Sequence, residues 1–114
     1  MNANIDGLIS RLSKILIPNG DNEVVVIFHN SKWTDILLKN SLVGHVNKLL
    51  RIDETGFLDI LRSTNTFPAY GQVEYKFNLE NKNISNISVK IINRIHNGKD
   101  KIWKIKNRII HMTM

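Results

Sequence analysis

The sequence predicts an α+β domain in which two helices pack on a mainly antiparallel sheet, in the order α-β-α followed by four or five strands. Three observations predict it. Apolar residues recur at spacings of three and four near the N-terminus and again after residue 30; a continuous β-branched run stands between those segments; and the second half of the chain alternates apolar and polar residues. At 114 residues the chain is one domain of ordinary size, and that length buries roughly two-thirds of its unfolded surface.

Residues 4–16 form the first predicted helix. Ile5, Leu8, Ile9, Leu12 and Leu16 fall on one stripe, Asn4 is placed to cap it, and Pro18-Asn19-Gly20 stops it. Residues 24–28 are apolar throughout and read as a strand covered on both faces. His29-Asn30-Ser31 breaks that strand, and Asn30 or Ser31 can cap a second helix with Trp33, Ile36 and Leu37 as its stripe, Asp35 favourable to its dipole and Gly44 as its stop. Residues 46–52 and 57–61 flank the turn composition Asp53-Glu54-Thr55-Gly56, which predicts a hairpin. Residues 63–71, with Pro68, form a loop. Val73, Tyr75, Phe77 and Leu79 alternate with Glu74, Lys76 and Asn78 as a strand, and residues 80–83 are a polar turn. Residues 84–92 make the next strand, Asn97-Gly98 a tight turn, and residues 102–110 a last strand. Residues 1–93 are thus expected as an α+β domain, and 94–114 as a basic turn and terminal strand.

Composition narrows the chemistry. No cysteine is present, which removes disulfides, thiolate zinc sites, iron–sulfur clusters and cysteine nucleophiles. The longest apolar run is residues 24–28, far short of the ~20 residues a membrane helix needs. The N-terminus has the pattern of neither a secretory signal nor a transit peptide. The chain holds 15 Asn, 17 Ile and 11 Lys against 2 Ala and 2 Pro, a skew that adenine- and thymine-rich codons produce, so an organelle, an intracellular bacterium, a phage or a parasite is the expected source.

The net charge of +6 is unevenly placed. Residues 1–80 balance at −1, whereas residues 81–114 carry eight Lys/Arg against the single acid Asp100, a net +7. Codon bias alone would spread lysine evenly. A basic segment on a neutral domain points to a polyanion, and nucleic acid is favoured over an anionic membrane surface. Trp103 stands between Lys101 and Lys104, in a strand that also carries Lys106 and Arg108; interleaved cations and an aromatic suit phosphate contact with some stacking, although core packing explains Trp103 equally well. Trp33 reads as core or as a staple at a helix start.

Nothing in the sequence calls for a cofactor. His29, His45, His96 and His111 include no metal-binding spacing, and there is neither a nucleophile elbow nor a glycine-rich phosphate loop. Two histidines could serve a ribonuclease as acid and base, but His29 and His96 lie in turns that local polar composition already explains. The glycosylation sequons at Asn83 and Asn86 are expected by chance in a chain this rich in Asn.

Several strings, taken in order, resemble one family. Leu8-Ile9-Ser10-Arg11-Leu12 in the first helix, residues 24–28 followed by Asn30-Ser31-Lys32, Gly44-His45-Val46, then Tyr75-Lys76-Phe77 and residues 84–92 leading into Arg94-Ile95-His96-Asn97-Gly98-Lys99-Asp100-Lys101-Ile102-Trp103 are similar to protein eight of the small ribosomal subunit in its bacterial and organellar form. The Ser-Lys-Pro piece that family carries after its Arg-Ile pair is absent. The resemblance implies a second helix opening at the Ser-Lys pair and a C-terminal lobe with a Ser-Thr-Ser-x-Gly motif, which the chain lacks up to Met114. That lobe is expected to be lost or supplied by another chain.

The resemblance implies a structural rRNA-binding protein, without catalysis, that supports small-subunit assembly and translation in a mitochondrion; a plastid or a bacterial cytoplasm is the next choice. Its partners would be small-subunit rRNA and neighbouring small-subunit proteins, with no membrane. The expected phosphate contacts are Arg94, Lys99, Lys101, Lys104, Lys106 and Arg108, supplemented by Arg11 and Lys32 on the helical side. Strand alternation puts Lys104, Lys106 and Arg108 on one face, and Trp103 and Ile105 on the other. A non-ribosomal scaffold or phage protein that binds nucleic acid or an acidic protein is the alternative class, and a small ribonuclease the third.

Overall fold

A computed structural model describes residues 5–40, 49–97 and 102–112. It is an α+β fold with two helices on a mainly antiparallel sheet. In chain order the elements are α1 (Ile5–Leu12), β1 (Leu16–Pro18), β2 (Gly20–His29), β3 (Lys32–Asn40), β4 (Leu49–Arg51), a 3-10 turn (Ile52–Glu54), α2 (Phe57–Ser63), β5 (Gly71–Glu80), β6 (Asn83–Asn97) and β7 (Ile102–Met112). A five-stranded antiparallel sheet runs β3-β2-β5-β6-β7, and β1 pairs with β4 in a small second sheet. Among the described residues, no helix is long and apolar enough to cross a membrane.

The second helix is not where the sequence pattern put it. Residues 32–40 are β3, paired along β2 from His29↔Lys32 to Asn22↔Asn40. Asn30 and Ser31, the expected helix caps, both adopt positive φ (54° and 64°) and make a two-residue hairpin turn. Asn tolerates the left-handed region, so the same polar pair serves a turn as well as a cap. The helical spacing of Trp33 and Ile36 comes from a β-bulge. Ile27 faces Asp35 and Phe28 faces Trp33, leaving Thr34 as the extra residue, with its hydroxyl donating to the Ile27 carbonyl at 3.3 Å. The expected stop at Gly44 lies outside the described residues.

The expected hairpin between residues 46–52 and 57–61 does not form either. Leu49–Arg51 pairs with Leu16–Pro18 instead, and residues 46–48 lie outside the described residues. Residues 57–61 belong to α2, because Phe57, Ile60 and Leu61 recur at helical spacing and are all buried. The Thr55 hydroxyl accepts the Phe57 N–H at 3.3 Å and donates to the Ile52 carbonyl at 2.6 Å, which turns the chain into α2. The first helix is shorter than expected. It ends at Leu12, and Leu16 leaves the stripe to sit 52% exposed in β1, where its backbone pairs with β4. The expected cap Asn4 lies outside the described residues.

A second bulge shapes β6. Lys76 faces Ser88 and Asn78 faces Ser85, so one extra residue is accommodated at Asn86, whose φ is 52°. It lets Ile84 and Ile87, three residues apart, both reach the core. That core lies between the helices and one face of the sheet: Leu8 and Leu12 from α1 and Phe57, Ile60 and Leu61 from α2 meet Val24, Val26, Val73, Tyr75, Phe77, Leu79, Val89 and Ile91. Phe57 is the central wedge, with its ring 5.2 Å from Tyr75 and 5.4 Å from Phe77; burying a side chain of that size contributes about 1.5–3 kcal/mol.

Candidate nucleic-acid interface

Register fixes which residues meet at the end of the sheet. Phe28, Gly71 and Asn93 form one transverse row, since Phe28 pairs with Gly71 and Gly71 with Asn93. One step beyond lie His29, paired with Lys32, and Arg94, paired with Ile105. Tyr70 stands between them. Its ring meets that of His29 edge to face at 5.0 Å, and its carbonyl accepts the backbone N–H of Arg94 at 2.8 Å. The next row is therefore Lys32, His29, Tyr70 and Arg94: a cation, two aromatics and a cation, all exposed.

The loop that delivers Tyr70 is anchored at several points. Ser31 N–H donates to the Ala69 carbonyl at 2.9 Å, and the Phe67 ring packs on Phe28 at 5.2 Å. The Arg94 guanidinium donates to Gln72 Oε1 at 3.4 Å, and Gln72 in turn donates to Glu74 at 2.5 Å, which holds the arginine above the sheet.

β6 and β7 continue past this row. Among the described residues, 95–97 pair with β7 alone, so the two strands project beyond the sheet as a ribbon. The three residues of β6 beyond Arg94, 95–97, correspond to about 10 Å. Lys104, Lys106 and Arg108 stand opposite Ile95, Asn93 and Ile91, whereas Trp103 and Ile105 stand opposite His96 and Arg94.

The expected contact residues therefore divide. Lys32 and Arg94 share the row at the sheet end, whereas Lys104, Lys106 and Arg108 hold the register positions opposite Ile95, Asn93 and Ile91, which alternate with Arg94 and so belong to the other face of the sheet. Arg11 is exposed in the last turn of α1, apart from that row. Lys99 and Lys101 lie outside the described residues. At the other end of the open sheet face, a depression of about 510 Å³ is lined by Asp21, Glu23, Lys39 and Lys76 together with asparagines. Its charges balance, so it offers a polyanion nothing that the ribbon end does not.

Sequence reasoning missed Tyr70 altogether and gave His29 no binding role. No linear signal marks either residue. They become neighbours of Lys32 and Arg94 only through pairing of segments more than twenty residues apart. No protein-family model matches the chain, and neither the curated proteins nor the solved structures contain a significant match to it.

Proposed function

We propose that this chain binds nucleic acid as a structural protein, with the β6–β7 ribbon as its principal contact and no catalytic step. The observation that carries the reading is the segregation of charge. Residues 81–114, which comprise β6 and β7, hold the net +7, while the rest of the chain is neutral to within one charge. Like charges gathered in one stretch of the chain repel one another, and phosphates relieve that repulsion.

Within that reading, the chain serves the small subunit of a mitochondrial ribosome, meeting rRNA and neighbouring small-subunit proteins during assembly. The strings at residues 8–12 and 94–103 and the codon skew support this placement. RNA would be recognised by shape and by phosphate contacts more than by base sequence. β7 is the outer strand of the sheet among the described residues, and a neighbouring chain that pairs with or covers that edge completes the assembly. One observation favours a second reading, a non-ribosomal scaffold or phage protein whose ribbon meets nucleic acid or an acidic protein surface: β3 stands where the ribosomal resemblance implies a helix.

The native protein should co-sediment with small ribosomal subunits in high magnesium and be released by high salt. Recovery solely from free or membrane fractions would contradict the ribosomal placement.

A further inference from the structure

We infer that the row Lys32, His29, Tyr70 and Arg94 is a binding site for an unpaired nucleotide of RNA, with its base stacked on the Tyr70 ring beside His29 and its flanking phosphates on Lys32 and Arg94. This rests on the nucleic-acid reading above and adds which part of the RNA this end of the sheet recognises.

Three observations carry it. First, Tyr70 is 40% exposed, whereas Phe28, Phe57, Tyr75 and Phe77 are buried in the core. An aromatic ring left open beside a second exposed ring, at the end of a sheet, is a ready stacking surface. Second, the platform is held in advance. The two backbone hydrogen bonds at Ala69 and Tyr70 tie the loop to the β2–β3 turn and to β6, and the Phe67–Phe28 contact supports it from the core side. Little conformational freedom remains for a ligand to freeze. Third, the cations stand on either side of the rings in one transverse row. Neighbouring strands are about 4.8 Å apart, so the four positions span roughly 14 Å.

Stacking is tolerant of base identity, because every base offers a π-face, but it needs a base whose face is free. Bases inside a duplex are stacked on their neighbours. The site therefore selects loops, bulges and single-stranded segments over paired RNA, and leaves general phosphate affinity to the ribbon.

The test compares two probes, a non-self-complementary 12-nucleotide single-stranded RNA and its duplex with the complement, by fluorescence anisotropy on the full chain. Tyr70→Ala should weaken binding of the single strand roughly 5- to 100-fold. It should leave duplex affinity within about twofold, and the salt dependence unchanged, because no cation is removed. Tyr70→Phe should bind as the unsubstituted protein does, and His29→Ala, a second exposed position, should show a smaller loss on the single strand alone. Equal losses on both probes, no loss on the single strand, or a Tyr70→Phe variant as impaired as Tyr70→Ala would each overturn the stacking site. If the unsubstituted protein binds neither probe in a salt-dependent way, the nucleic-acid reading fails with it. If it binds both and Tyr70→Ala changes nothing, the stacking site alone fails.

Discussion

The backbone N–H of Arg94 donates to the carbonyl of Tyr70 at 2.8 Å, and this bond joins the end of the loop before β5 to the strand that carries the basic ribbon. It places an exposed aromatic ring beside an exposed guanidinium at the point where the sheet narrows from five strands to two. The geometry around that bond depends on Gly71, the next residue.

Gly71 has φ +143°, and a Cβ there would stand 2.0 Å from the Ile92 carbonyl oxygen. Neither β5 nor β6 can yield, because both are paired on both sides. Gly71→Ala should therefore cost about 1–3 kcal/mol, as strain at a special backbone position does. Urea unfolding followed by circular dichroism measures it. A loss under about 0.5 kcal/mol, the range of ordinary surface substitutions, would mean that the β5–β6 ladder opens freely there.

Asn86 supplies the bulge that turns both Ile84 and Ile87 inward, and its φ of 52° is left-handed. A β-branched residue pays for that conformation and glycine does not. Asn86→Gly should be neutral or stabilising, whereas Asn86→Val should destabilise by about 1–2 kcal/mol. Thermal melts of the two variants check the order. The reverse order would place the extra residue elsewhere in β6.

Tyr75 is fully buried and its hydroxyl shares a 2.9 Å hydrogen bond with Thr64. Burial holds its phenol protonated well above the ordinary tyrosine range, and the Thr64 bond offsets only part of that. The folded state thus keeps a proton that the unfolded state gives up near pH 10. Stability from this group is fully present below about pH 10 and falls above it by roughly 1.4 kcal/mol per pH unit. In a Tyr70→Phe background, absorbance at 295 nm should report no phenolate until the chain unfolds. Adding Tyr75→Phe should flatten the alkaline decline in stability. Phenolate appearing in the folded protein near pH 10 would contradict the burial.

How far the sequence could be read follows from the two bulges. The strict alternation of Val73, Tyr75, Phe77 and Leu79 gave β5 without ambiguity, and the stripe of Leu8 and Leu12 gave α1. Trp33 and Ile36 misled because a bulge at Thr34 imitates one helical step. The same step at Ile84 and Ile87 did no harm, because β-branched neighbours outweighed it. Phe57, Ile60 and Leu61 carried a true helical spacing, but a segment that short also reads as a buried strand. At the candidate site, Lys32, Arg94 and the ribbon cations were visible as charge. Their company with His29 and Tyr70 was not, because only the register of β2, β5 and β6 creates it.

Salt dependence of RNA affinity tests the central claim most directly. If about five of the basic residues meet phosphates, log Kd against log salt should have a slope of roughly 4 in magnitude, at 0.7–0.9 per contact. Replacing Lys104, Lys106 and Arg108 together with Gln should lower that magnitude by about two to three, with the fold retained by circular dichroism. An unchanged slope in the triple variant would mean that β7 faces protein or solvent, and the assignment of the ribbon to nucleic acid would be wrong.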